Sequence, residues 1–110
     1  VAFERFINEL NESLWTNSLS FPFGSQQVLK VLIISGSAAF DYPLAVQHGA
    51  DTFITGEIKE SLVRKIEEEQ LNLIVAGHYN TEKSGIQALG SEIEKKFNVK
   101  CAFIDIPNPV

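Results

Sequence analysis

The chain has 110 residues, a formal net charge of −5 and nine scattered basic residues, so we expect no direct binding to nucleic acid through its phosphates. No apolar run reaches the roughly 18 residues of a membrane span, and we expect no membrane association. The single cysteine, Cys101, excludes an internal disulfide and fits a reducing, cytoplasmic compartment, with the side chain buried as a small apolar group.

The length of the chain predicts a single α/β domain covering residues 1–110. The sequence begins at Val1 and contains no methionine. We therefore expect it to be the carboxyl-terminal part of a longer protein.

The first third of the chain predicts a helix, an edge strand and a central strand. Apolar residues recur at helical spacing from Ala2 to Leu14. Leu19 to Phe23 alternates as a strand does, and Pro22 removes a ladder donor, which favours a sheet edge. Val28 to Ser35 is apolar on both faces, the pattern of a central strand covered by helices on each side.

The remaining elements alternate between helices and strands. They are a helix from Asp41 to His48, a strand from Asp51 to Thr55, a helix from Ile58 to Glu69, a central strand from Leu71 to Ala76, a helix starting at Asn80 or Thr81, and a last strand from Cys101 to Ile106. This alternation predicts a three-layer α/β fold, with a mainly parallel sheet, helices on both faces and one edge strand near the N-terminus.

Three strand-to-helix junctions share the carboxyl edge of such a sheet, where ligands usually bind. They are residues 35–37, residues 55–57 and residues 77–79. Their convergence would bring Glu57, His78 and Glu82 within reach of one another. Small residues at Gly36-Ser37-Ala38 leave open a weaker alternative, a Rossmann-like domain that binds an anion through backbone amides.

His78 and Glu82 lie four residues apart at a strand-to-helix junction. Imidazole and carboxylate groups are suitable ligands for zinc, iron, cobalt or manganese. The same pair also fits an ordinary helix start, with a surface histidine and a carboxylate favoured by the helix dipole. The residues alone leave both interpretations open.

Three segments resemble the carboxyl-terminal part of the NIF-three-like proteins, which are often described as GTP cyclohydrolase I type two. They are Gly49–Glu57 (GADTFITGE), Ala76–Glu82 (AGHYNTE) and Phe103–Pro107 (FIDIP). The resemblance covers most of residues 28–109, and the Gly-His-x-x-Thr-Glu motif with Thr-Gly-Glu upstream is its most specific part.

The resemblance implies a dinuclear metal site, with two divalent ions in the complete protein. His78 would be a metal ligand and Glu82 would bind or bridge the metals. The other ligands of the family, a His-His-Pro motif and a later aspartate, belong to an amino-terminal half and are not in this sequence. The family also forms toroidal hexamers, so we expect a homo-oligomer for the full-length protein.

Two functional hypotheses follow from the resemblance. The first is part of a metal-dependent hydrolase that acts on a nucleotide, such as GTP, or a related small molecule, with Glu57 as an outer-shell or proton-handling catalytic carboxylate. By itself the chain would then be incomplete and inactive. The second is a metal-binding regulatory or protein-interaction module without catalysis.

Overall fold

A computed structural model describes all residues from 1 to 110. Its helices are α1 (Phe3–Leu14), α2 (Tyr42–Gln47), α3 (Glu60–Glu68) and α4 (His78–Phe97), and its strands are β1 (Leu19–Phe21), β2 (Val31–Ile34), β3 (Thr52–Thr55) and β4 (Asn72–Val75). A short 3-10 turn, Ala39–Asp41, precedes α2. No helix has both the length and the apolar character that crossing a membrane requires.

The four strands form one sheet in the order β1-β4-β3-β2. β2, β3 and β4 run parallel, and β1 pairs with β4 in the antiparallel direction, with Leu19 opposite Val75. β1 ends directly before Pro22 and lies at the sheet edge, as the sequence predicted. The mainly parallel sheet with one N-terminal edge strand is therefore confirmed.

Helices cover both faces of the sheet, which confirms the predicted layers. Phe53 and Leu73 point to the face covered by α2 and α3, where they meet Leu62 and Ile66. The neighbouring residues in β3 and β4 point to the opposite face and pack against α1, forming a second cluster of Phe3, Val28, Ile54, Ile74 and Ala76. Both faces of the two inner strands are apolar because both are buried.

The prediction that the first parallel strand is central was wrong. β2 is the outer strand of the sheet, and its second edge has no strand partner. Ile33 is 63% exposed, and Leu29 just before the strand is also exposed. An apolar run predicts that a strand will be covered, but it does not say that the covering element belongs to the same 110 residues.

The predicted last strand and the predicted burial of Cys101 were also wrong. Residues 101–110 are exposed and form neither strand nor helix. They return along α4, where the Cys101 amide donates to Glu94 Oε1 at 2.8 Å. The strand-like run finds no strand edge here, because α4 extends about 30 Å before the chain turns and leads away from the sheet.

At the amino-terminal ends of the parallel strands, two side chains hold the neighbouring loops in place. The carboxylate of Asp51 accepts hydrogen bonds from the amides of Leu29 and Lys30 and from the hydroxyl of Thr52, at 2.8–2.9 Å. The fully buried Asn72 accepts from the Gly24 amide and donates to a carbonyl of the same turn. Both side chains thus form hydrogen bonds with backbone groups of loops that have no partner in the sheet.

Candidate metal centre

The three strand-to-helix junctions converge, as the topology predicted. The carbonyl oxygen of Gly36 accepts the amides of Gly56 at 2.9 Å and Glu57 at 3.1 Å. The amide of Gly77 in turn donates to the carbonyl of Gly56 at 3.1 Å. Direct backbone hydrogen bonds therefore join the ends of β2, β3 and β4, and they fix the positions of the side chains that follow.

Gly56 allows this close approach because it has no side chain. A Cβ atom at this position would lie 2.5 Å from the carbonyl oxygen of Gly36 and 2.8 Å from the Cα atom of His78. Both neighbours are backbone atoms, and they cannot turn aside as a flexible side chain could. Glycine at this position thus lets the end of β3 lie directly against the start of α4.

The start of α4 is set by Gly77, which has φ of +93° and ψ of 138°. Residues with a side chain rarely adopt this conformation, and it turns the chain sharply from β4 into the helix. The predicted helix start at Asn80 or Thr81 was wrong, because α4 begins at His78.

Thr81 links α4 to the neighbouring junction instead of capping the helix. Its hydroxyl oxygen accepts the amide of Gly36 at 3.1 Å, and its hydroxyl group lies 2.8 Å from the carbonyl of Gly77. The amide of Gly36 is therefore already bonded within the chain. This removes the first donor of the anion-binding loop considered for residues 36–38.

His78 lies between two carboxylates. Its Nδ1 atom is 2.6 Å from Oε1 of Glu57, and its Nε2 atom is 3.3 Å from Oε1 of Glu82. The side chain of His78 is 40% exposed, that of Glu57 is 37% exposed and that of Glu82 is 52% exposed, so solvent reaches all three. The structure thus brings together all three residues that the sequence singled out, although their roles stay predictions.

The arrangement fits a metal half-site. Histidines that bind metals commonly donate the proton of one ring nitrogen to a carboxylate, which leaves the other nitrogen free as the ligand. Glu57 occupies that position at Nδ1, and Nε2 faces the carboxylate of Glu82. No group of three or more His, Cys, Asp or Glu side chains is arranged to hold a metal ion, so at most a half-site lies within this chain.

The end of the chain lines the same site, which the sequence did not predict. Glu57, His78 and Glu82 share a cleft of about 310 Å³ with Tyr79, Asn108 and Val110. The Tyr79 phenol donates to the carboxylate of Asp105. This hydrogen bond is the largest cause that raises the pKa of Tyr79 above its ordinary value of 10.0, and burial of the phenol is the second. The only feature of the sequence that could have indicated a role for Tyr79 was its position inside the Gly-His-x-x-Thr-Glu motif.

Comparison with known proteins places the whole chain in one family. Residues 1–109 match the family model described as Duf34/NIF3 (NGG1p interacting factor 3). This chain belongs to the Duf34/NIF3 family. A member from Archaeoglobus fulgidus, named GTP cyclohydrolase 1 type 2 homolog, is 34% identical over 92% of this chain and 41% of its own length. One of the same name from Pyrococcus abyssi is 41% identical over 80% of this chain and 35% of its own length.

Solved structures show the same fold. The protein TTHA1606 from Thermus thermophilus superimposes on the whole chain with a TM-score of 0.89 and 32% identity, and this chain covers 44% of its length. This Duf34/NIF3 chain thus spans about two fifths of the length of the relatives that it matches. The resemblance found in the sequence is confirmed at the level of family and fold.

Proposed function

We propose that this chain is the carboxyl-terminal part of a dinuclear-metal-dependent hydrolase that acts on a nucleotide or a related small molecule. The observation that carries the proposal is the Glu57–His78–Glu82 arrangement, with one carboxylate at each nitrogen of the imidazole. The names of the curated relatives, GTP cyclohydrolase 1 type 2 homologs, support the choice of GTP as the first substrate to test. The whole-length protein would act as a homo-oligomer.

In this proposal each side chain has a separate role. Glu57 accepts a hydrogen bond from the Nδ1–H group of His78 and so holds the ring in the tautomer whose Nε2 lone pair is free. His78 and Glu82 would then hold zinc, iron, manganese or cobalt through one nitrogen and one carboxylate oxygen. Bound ions of this kind polarise a substrate and activate water for attack. Two ligands are too few for catalysis, so we expect this chain alone to be inactive.

Zinc binding by this chain tests the proposed ligands. Calorimetric titration with Zn²⁺ should show binding that His78→Ala and Glu82→Ala both weaken at least tenfold. Glu57→Gln should weaken it by about tenfold, the usual lower effect of losing an orienting partner. His48→Ala is the matched control, because His48 is exposed at the end of α2 and has no carboxylate partner. If His78→Ala bound Zn²⁺ as tightly as the unsubstituted chain does, the proposal that His78 is a metal ligand would be refuted.

The whole-length relative from Archaeoglobus fulgidus tests the reaction. Its metal content and its hydrolysis of GTP should both fall when the residues equivalent to His78 and Glu82 are replaced by alanine. Loss of metal without any GTP hydrolysis in the unsubstituted relative would favour the second function, a metal-binding regulatory or protein-interaction module.

Two observations favour that second function as the alternative. The family description names an interacting factor, which refers to contact with another protein. In addition, α4 leaves Ile86, Leu89 and Phe97 exposed along a 20-residue helix without any buried residue. Exposed apolar surface of this kind is typical of a protein contact.

A further inference from the structure

The last residues of the chain are fastened to the first turn of α4 by a single residue. The phenol of Tyr79 donates a hydrogen bond to the carboxylate of Asp105. The backbone amide of Tyr79 donates to the carbonyl oxygen of Val110 at 3.0 Å. Tyr79 directly follows His78, so both attachments lie beside the candidate metal ligand.

These attachments make the C-terminal segment, residues 105–110, one wall of the cleft. Asn108 and Val110 line the cleft that also contains His78 and Glu82. The Asn108 side-chain oxygen accepts the Val110 amide at 3.0 Å, which fixes the turn at the end of the segment. Its side-chain NH₂ group makes no hydrogen bond within the chain and remains a donor for a ligand in the cleft.

The segment has little else to hold it in place. Every residue from 101 to 110 is exposed, and none belongs to a helix or a strand. The Cys101 amide is bonded to Glu94, but that contact lies at the far end of the returning chain. Segments with few buried contacts open readily, and the two hydrogen bonds of Tyr79 join residues 105–110 to the rest of the chain.

We propose that Tyr79 is a positioning residue: through Asp105 and Val110 it holds residues 105–110 as a wall of the cleft, limits access to His78 and presents Asn108 to a bound ligand. The inference rests on the proposed function for the nature of that ligand, a small molecule with a hydrogen-bond acceptor next to the metal. The position of the wall is a property of this chain alone and is testable without a metal.

The reactivity of His78 toward diethyl pyrocarbonate measures the position of the wall. In metal-free protein the modification rates of His78 and His48, the two histidines of the chain, are followed separately by mass spectrometry, and His48 serves as the internal reference. Tyr79→Phe should raise the ratio of the His78 rate to the His48 rate about fivefold, the factor that one lost hydrogen bond typically gives. Tyr42→Phe is the matched control and should leave the ratio unchanged.

Asp105→Ala tests the same bond from its other end. It should raise the ratio as much as Tyr79→Phe does, and the double variant should add nothing further, because both substitutions remove one interaction. An unchanged ratio in both single variants, with circular dichroism showing intact helices, would overturn the inference.

The zinc titration separates this inference from the proposed function. If the ratio changes as expected but His78→Ala does not alter Zn²⁺ binding, the wall is established and the metal half-site is refuted. If Zn²⁺ binding depends on His78 but the ratio is unchanged, the half-site remains and the role of Tyr79 is refuted.

Discussion

Replacing Gly56 by alanine should separate the three junctions that form the candidate metal centre. The new Cβ atom would lie 2.5 Å from the carbonyl oxygen of Gly36 and 2.8 Å from the Cα atom of His78. Both distances are far below ordinary contact, and both neighbours are backbone atoms. The end of β3 must therefore move away from β2 and α4 together, and the hydrogen bonds that join them must lengthen.

The expected loss of stability is about 3 kcal/mol or more. Forcing an extra methyl group into a closely packed site typically costs about 1–3 kcal/mol, and each weakened hydrogen bond adds about 1 kcal/mol. With a urea dependence of about 1.5 kcal/mol per M for a chain of this size, the unfolding midpoint should fall by about 2 M. Urea denaturation followed by circular dichroism measures it.

Gly85→Ala is the matched control for this substitution. Gly85 lies within α4, and a Cβ atom at this position would meet nothing within 4 Å. The same added methyl group should therefore stabilise the chain, by about 0.5–1 kcal/mol, through the better helix propensity of alanine. A midpoint for Gly56→Ala that matches the unsubstituted chain would contradict the tight junction on which the arrangement of Glu57 and His78 depends.

Three further predictions follow from other contacts. Asp51→Ala should cost about 2–3 kcal/mol in urea denaturation, because three donors lose a charged acceptor. Asp105→Ala should lower the pKa of Tyr79 toward 10.0, measured by nuclear magnetic resonance of its ring. The hydrogen bond to Asp105 favours the neutral phenol of Tyr79, so its contribution to the stability of the fold is present below the ordinary pKa of 10.0. That contribution is lost as the pH rises through the raised pKa of the folded chain. Gly36→Ala should weaken Zn²⁺ binding about tenfold, because its Cβ atom would lie 2.6 Å from Oε1 of Glu82.

The sequence was sufficient to predict where the candidate site lies, because the rule involved is geometric. Parallel strands end at the same edge of a sheet, so identifying the three strands brought Glu57, His78 and Glu82 together without any motif. The continuous apolar run around Leu73 identified residues 71–76 as a central strand in the same way, because burial on both faces requires apolar residues on both faces.

The two errors about strands share one physical cause, which is that periodicity describes a segment but not its partner. The residues around Ile33 are apolar on both faces, yet β2 forms the open edge of the sheet. Residues 101–106 have strand-like composition, yet no strand lies beside them. Contacts between single residues could not be predicted for a similar reason, since nothing in the pattern indicated that Tyr79 would contact Asp105, 26 positions away.

The Gly-His-x-x-Thr-Glu motif divides into two pairs when each residue is assigned a physical reason. Gly77 is required by a positive φ, and Thr81 by its bonds to the backbone of the neighbouring junctions. Backbone conformation and hydrogen bonding thus account for the glycine and the threonine in this chain.

Packing gives no comparable reason for His78 and Glu82. Both side chains are about half exposed, contribute nothing to either apolar cluster, and meet each other across the first turn of α4. An exposed pair of this kind adds little to stability, and Glu57 further orients the imidazole at Nδ1. Under the proposed function, a metal ion that takes one nitrogen and one carboxylate oxygen would account for the pair, and the zinc titration with His78→Ala tests this directly.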